Sequence, residues 1–316
     1  MKHNRYADKK ILVYGAGVIG SIFAGKLFKS GLDTVILARG NRFREIKENG
    51  LILKNVLTGK AETYALACID ELKENDIYDY IIVAVQNNHI DAILPVLAKN
   101  KSKNIVFVVN NPLGYEKYIT AVGKERIMLG FPCAGGERKE GVVHYFIGKG
   151  IARIIQTTTF GELDGGDSAR LDTLLGIFSK AGFEPVKSRN MDAWQKTHVA
   201  FVVPAACAMY RFNSNNYKLA RSPSTIRLML RAIREGFRAL EAKGIPVEPA
   251  KLRYYYAPLF LMTAFFQLVF ATRIAEYAMA KHTITGKDEI KILNEQFLSL
   301  CAESPLTEWK KLCSFR

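Results

Sequence analysis

The sequence predicts an α/β fold: a doubly wound domain followed by an all-helical C-terminal domain. Three observations predict it. The stretch "ILVYGAGVIGSIFAG" places a glycine triad between an apolar run and an amphipathic one. Strand-like and helix-like runs then alternate up to about residue 187, the pattern of a largely parallel sheet covered by helices. Beyond residue 190 strand signals stop and only helical periodicity remains. The expected domains are 1–187 and 188–316.

Lys10–Tyr14 reads as a short buried strand, because Ile11, Leu12 and Val13 are continuously apolar. Val18–Lys29 reads as a helix, with Ile19, Ile22, Phe23 and Leu27 on one stripe. Between them, Gly15 makes a tight turn and Gly17 lets a pyrophosphate approach the backbone. Gly20 lets the helix pack closely on the strand, and the helix N-terminus faces the phosphates. This is the turn of a Rossmann-like domain, and Gly15, Gly17, Val18, Ile19 and Gly20 are its cofactor-binding candidates.

The strand at 34–38 ("TVILA") comes next and decides the cofactor. An NAD enzyme carries Asp or Glu about 20 residues past the glycines, for the ribose 2′-hydroxyl. Here the chain reads "ARGNRFR", with Arg39, Arg42 and Arg44 and no acid. A carboxylate would repel a 2′-phosphate, whereas a guanidinium binds it through paired charge-assisted hydrogen bonds. The expected cofactor is NADPH/NADP, with Arg39 as the first contact and Arg42 as the second.

Further strands are expected at 80–85, 104–110, 127–130, Val142–Ile147 and 151–156, with helices at 90–98 and 169–181. The later strands read as antiparallel additions to the sheet. The helical domain follows as 192–210, 224–243, 249–280 and 287–301, with "KGIPVEP" breaking two helices apart. Ligands of such sheets bind outside the carboxyl ends of the strands, so the helical domain is expected to close over that edge and hold the substrate.

Composition narrows the function classes. The chain has 316 residues, 49% apolar and 24% charged, with no repeat or low-complexity tract. "MKHNRYADKK" has no signal-peptide core. Cys68, Cys133, Cys207, Cys301 and Cys313 are scattered without a C-x-x-C pair, which reads as reduced thiols in the cytoplasm and no metal site. The run at 254–272 lacks a formal charge and approaches spanning length. Pro258, Gln267 and its tyrosines instead favour a buried or interface helix and no membrane span. The net charge of +15 suits anionic ligands, but the basic residues are spread out and no nucleic-acid-binding motif accompanies them. No nucleic-acid partner is expected.

Reducing a carbonyl requires a proton for the developing alkoxide as well as a hydride. "MDAWQKTHVAFVVPAA" opens the helical domain and sets Lys196 among Ala193, Trp194, Val199 and Ala200. A lone lysine on an apolar helix can give that proton and stabilise the charge. A lysine that snorkels at the helix edge would look the same in sequence. His198 points to another face and reads as structural or surface.

These motifs together resemble the ketopantoate reductase (2-dehydropantoate 2-reductase) family over nearly the whole chain. The resemblance takes in "GAGVIGSIFAGKL", "ILARGNRFREIKENGL", "NNPLG", "GGERKEGVVHY", "GELDG", Trp194 with Lys196, "REGFRALEAKGIPVEP" and "DEIKILNEQF". It implies a Rossmann domain followed by a helical substrate and dimerisation domain, a homodimer, and NADPH-dependent reduction of a 2-oxoacid. It implies Lys196 as the proton-donating lysine and Glu289 as the substrate-binding glutamate. Asn111 matches the asparagine of the family's N-G-x-G turn, with Pro112 in place of the glycine.

The chain departs from the family at the substrate. Gln86 stands where the family carries a lysine that contacts cofactor or substrate, and His89 where it carries glutamine. Ala200 and Pro204 stand where the reductases carry asparagines, and the serine-rich motif before the glutamate is missing. Gln86 and Asn111 are therefore expected near the cofactor, and the substrate is expected to be a more apolar 2-oxoacid. The alternative from another class is a non-catalytic NADPH-binding sensor or scaffold on the same fold. Lys196 separates the two, because a sensor needs no ammonium beside a nicotinamide.

Overall fold

A computed structural model describes residues 6, 8–150, 153 and 156–314. The chain forms two compact units, Met1–Val109 with Tyr115–Met191, and Asn110–Gly114 with Asp192–Arg316. The short segment Asn110–Gly114 sorts with the helices, which a single boundary at 187 does not anticipate.

Among the described residues, the strands all lie in the first unit. They are β1 (Lys10–Tyr14), β2 (Asp33–Leu37), β3 (Leu51–Asn55), β4 (Ala61–Tyr64), β5 (Ala67–Ile69) and β6 (Tyr80–Val83). After them come β7 (Ile105–Phe107), β8 (Ile127–Phe131), β9 (Ala134–Lys139), β10 (Val142–Ile147), β11 (Thr158–Glu162) and β12 (Pro185–Lys187). An 8-stranded sheet runs β12-β11-β8-β7-β6-β1-β2-β5. From β5 to β8 every pairing is parallel, in the strand order of a dinucleotide-binding domain. The antiparallel addition is β11, which pairs with β8 and then carries β12. The strand expected at 151–156 lies almost wholly outside the described residues.

Both faces of this sheet are covered, which is why its strands read as continuous apolar runs. The helices of this unit are α1 (Val18–Lys29), α2 (Gly40–Asn49), α3 (Ile90–Lys99), α4 (Glu116–Val122) and α5 (Ala169–Lys180). Ile11, Val13, Ile36, Ile82, Val106 and Met128 share one core cluster with Phe23 of α1 and Phe178 of α5. Those two rings meet edge-on with centroids 4.9 Å apart. On the other side of the strands, Phe107 meets Tyr118 of α4 edge-on at 4.7 Å. Each such buried side chain contributes about 1.5–3 kcal/mol.

A second, 4-stranded sheet, β4-β3-β10-β9, corrects the expected place of Val142–Ile147. That strand pairs with β3 and β9 rather than extending the main sheet. Leu53 of β3 with Val143 and Tyr145 of β10 join the same core cluster as Phe23, so α1 packs against both sheets. Gly25 makes this approach feasible, since a Cβ there would come within 2.6 Å of the Leu53 side chain.

The second unit consists of helices. They are α6 (Met191–Tyr210), α7 (Asn216–Ala220), α8 (Pro223–Ala242), α9 (Leu259–Phe270), α10 (Arg273–Ala275), α11 (Lys281–Thr285), α12 (Lys287–Leu300) and α13 (Thr307–Leu312). On α8, Ile226, Met229, Leu230, Ile233, Phe237 and Leu240 form a buried stripe. Trp309 of α13 is fully buried, donates from its ring nitrogen to Asn294 Oδ1 at 2.8 Å, and stacks on Phe297 at 4.5 Å.

The helix expected over 249–280 is interrupted twice. Pro258 has no N–H to continue the 3₁₀ turns of Ala250–Tyr256 and instead N-caps α9. Thr272 then caps α10 by accepting from Ala275 N at 3.1 Å. The helical runs on either side of that cap, Leu259–Phe270 and Arg273–Ala280, are bent by 77°. Among the described residues no single helix is long and apolar enough to cross a membrane.

Candidate functional site

The glycine turn has the geometry that a pyrophosphate needs. Gly15 adopts φ +113°, and a Cβ there would sit 2.5 Å from the Ala84 carbonyl oxygen. A Cβ on Gly20 would come within 1.8 Å of Gly15 O, so only glycine lets α1 start so close to the turn. Over Gly17 a Cβ would meet nothing within 4 Å. Gly17 N-caps α1 without a side-chain hydrogen bond, so no side chain occupies the amides that open at Val18 and Ile19. The turn fits a dinucleotide: the space is open where phosphates would lie, and α1 offers its positive end.

The two candidate arginines have different employment. Arg39 is exposed just beyond β2, donates from Nη2 to the Tyr14 hydroxyl at 2.6 Å, and stands over that ring at 5.8 Å. Its guanidinium is anchored at one end and open at the other. Arg42 is buried and donates to Gly141 O at 2.9 Å, Glu45 Oε2 at 3.0 Å and Ser21 Oγ at 3.4 Å. Burial lowers its pKa from the usual guanidinium value, against the opposing effect of Glu45. Arg42 ties α2 to the β9–β10 turn, whereas Arg39 is exposed. Gln86 is half-buried three residues past the end of β6, where its carbonyl accepts from His89 N at 3.0 Å.

In the helical unit, Lys196 and Glu289 are both buried, at 9% and 5% exposure. Lys196 pairs with Asp192, one turn earlier on α6, whose side chain remains 42% exposed. Glu289 Oε1 accepts from Asn110 Nδ2 at 3.2 Å. Asn111, the expected residue of that turn, closes it instead: Nδ2 donates to Gly114 O at 2.5 Å, and Oδ1 accepts from Leu113 N at 3.1 Å. Asp192 and Asn110 were not singled out from sequence. An acid four residues before the lysine is the one signal that could have found Asp192.

His198 stacks on Trp194 at 5.5 Å and is buried, in keeping with a structural part. Ala200 is fully buried, and a Cβ built on Gly236 would lie 3.2 Å from its methyl and 2.9 Å from the Trp309 ring. Gly236 therefore lets α8 approach α6 closely at the small side chain of Ala200. Among the described residues, no group of three or more His, Cys, Asp or Glu is arranged to hold a metal ion.

Residues 11–164 match the family model of ketopantoate reductase PanE/ApbA. The 2-dehydropantoate 2-reductase of Pyrococcus horikoshii is 28% identical over 191 residues, which are 59% of this chain and 58% of that enzyme. The match thus spans less than two thirds of that relative. The ternary structure of D-mandelate dehydrogenase with NADH and anilino(oxo)acetate has a TM-score of 0.77 at 19% identity, covering 96% of both chains. The crystal structure of 2-dehydropantoate 2-reductase from Geobacter metallireducens GS-15 has a TM-score of 0.75 at 18% identity, covering 96% of this chain and 98% of that one. The solved structures show the shared fold. The resemblance read from the motifs holds: residues 11–164 are similar to the ketopantoate reductase model.

Proposed function

We propose that this chain, an oxidoreductase with a ketopantoate reductase domain, reduces 2-oxoacids with NADPH and favours a bulkier, more apolar substrate than ketopantoate. The observation that carries the reading is Lys196: a buried ammonium on an apolar helix, in the same unit as a buried glutamate. When bound, the cofactor supplies hydride from its nicotinamide ring. Lys196 Nζ gives a proton to the substrate's carbonyl oxygen as that oxygen gains charge. Glu289 binds the substrate, with Asn110 holding one of its carboxylate oxygens. Arg39 selects the phosphorylated cofactor, while Gly15, Gly17, Val18, Ile19 and Gly20 hold the pyrophosphate. Gln86 lies at the cofactor.

Ala200 and Pro204 supply no hydrogen bonds to a substrate hydroxyl, which removes the strongest discrimination in favour of ketopantoate. The D-mandelate dehydrogenase of the same fold, solved with an oxoacid that carries an aromatic arm, supports an aryl or long alkyl substituent. That structure holds NADH, so the preference for NADPH rests on Arg39 of this chain.

The chain acts as a homodimer in the cytoplasm. Phe260, Leu261 and Leu268 of α9 are 71%, 53% and 73% exposed, an apolar face suited to a second copy. Its five cysteines are buried free thiols, as a reducing compartment allows.

A melting experiment tests the cofactor. At about 100 times its dissociation constant, NADPH should stabilise the fold by about 2.7 kcal/mol. NADH at equal concentration should shift the transition less, and Arg39→Glu should erase the difference. An equal shift with both cofactors in the unaltered protein would contradict the assignment of Arg39.

A further inference from the structure

We infer that Asp192 is a positioning residue for Lys196, and the inference rests on the reading of Lys196 as proton donor. Side chains on a helix lean toward its N-terminus, so Lys196 reaches back over the turn that carries Asp192. The acid precedes the base by four residues, the better of the two orders for such a pair. The pair is asymmetric in its surroundings: the lysine side chain is 11% exposed and the aspartate 42%. The hydrated carboxylate thus balances an ammonium that would otherwise be buried among Ala193, Trp194, Val199 and Ala200, each nearly or fully buried. An uncompensated charge there would be costly.

Asp192 also limits where the nitrogen can go. The lysine chain has four rotatable bonds, and its ion pair keeps Nζ near the first turn of α6. A proton donor held in one place needs less reorganisation when the carbonyl oxygen gains charge. Asp192 itself touches neither substrate nor cofactor on this account.

The test compares Asp192→Asn, Asp192→Ala and Asp192→Glu with Lys196→Ala in the full chain. Turnover is read as NADPH oxidation with phenylglyoxylate and with 2-dehydropantoate. Asp192→Asn and Asp192→Ala should lower kcat about 10- to 100-fold, with KM changed less than threefold, and Asp192→Glu should recover most of the loss. A second readout needs no activity. Reductive methylation with formaldehyde, followed by mass spectrometry, should modify Lys196 at least threefold faster in Asp192→Ala than in the unaltered protein, and slowly in Asp192→Glu.

Unchanged labelling of Lys196 in Asp192→Ala would overturn the inference whatever the turnover. Loss of turnover in Lys196→Ala together with unchanged kcat in Asp192→Ala would overturn it and leave the proton donor standing. Full turnover in Lys196→Ala would instead remove the reading of Lys196, and with it any positioning role.

Discussion

The two units treat their buried charges differently. In the nucleotide-binding unit, the guanidinium of Arg42 has three partners, Gly141, Glu45 and Ser21, and is absorbed in holding α2 to the second sheet. In the helical unit, the buried ions Lys196 and Glu289 are held, among the described residues, by Asp192 and Asn110. A charge bound to several elements at once, as Arg42 is through Nη1 and Nη2, is fixed by the fold. A buried charge held by one neighbour keeps donors or acceptors for a ligand. The contrast separates structural ions from those available to chemistry, and its sharpest tests are the residues on either side.

The largest effect is expected from Lys196→Ala. Turnover should fall about 10²- to 10⁴-fold, the size of one acid–base contribution, with NADPH binding little changed. Wild-type turnover in a folded Lys196→Ala protein would make Lys196 as structural as Arg42 and would place the proton donor elsewhere.

Next comes packing inside the helical unit. Ala200→Asn restores the residue type of the reductases but adds volume where α6 meets α8 beside Gly236 and Trp309. It should cost about 1–3 kcal/mol of stability by overpacking. Denaturant melts of Ala200→Asn measure this directly. A stable Ala200→Asn protein with improved ketopantoate turnover would show that the methyl faces the substrate instead.

The smallest effect lies at the rim of the nucleotide-binding unit. On β4, Glu62 bonds Lys29, accepts from the Tyr64 hydroxyl at 2.7 Å, and lies 3.2 Å from Lys60 Nζ. Lys29, and then Tyr64, hold its carboxyl well below the ordinary range, down to about 2. A lowered folded-state value means that this stabilisation is complete above the ordinary carboxylate range and lost as pH falls toward about 2. Solvent screening keeps the expected contribution near 1 kcal/mol. Melts of Glu62→Gln between pH 7 and pH 2.5 should show a stability deficit that shrinks as the pH drops. A constant deficit would mean that the carboxylate is not what stabilises β4.

How much was legible in the sequence follows the same division. β1, α1 and the turn between them were readable to the residue, because a local apolar run, three glycines and a helical stripe specify them. Lys196 stood out as a candidate because a single lysine interrupts an otherwise largely apolar helix. The second sheet was not, since "AETY" and "AGGERK" carry little apolar alternation and their pairing depends on strands distant in sequence. Arg42 read as a second phosphate contact because its structural partner Gly141 is brought over only by β9 and β10. Asn110 and Asn111 are adjacent, and nothing local says which one reaches Glu289. The small helix α13 escaped notice because six residues are too few to show a period, although its Trp309 helps seal the helical core.

The central claim is tested most directly by the specificity constant for NADPH-dependent reduction across a 2-oxoacid panel. The panel should run from pyruvate and 2-dehydropantoate to 3-methyl-2-oxobutanoate, phenylpyruvate and phenylglyoxylate. Each additional buried methylene should contribute about 0.8 kcal/mol, so kcat/KM should rise with apolar bulk. The account predicts weak turnover of 2-dehydropantoate and the highest kcat/KM with an alkyl or aryl oxoacid. A hundredfold preference for 2-dehydropantoate, or no NADPH oxidation with any member of the panel, would contradict it.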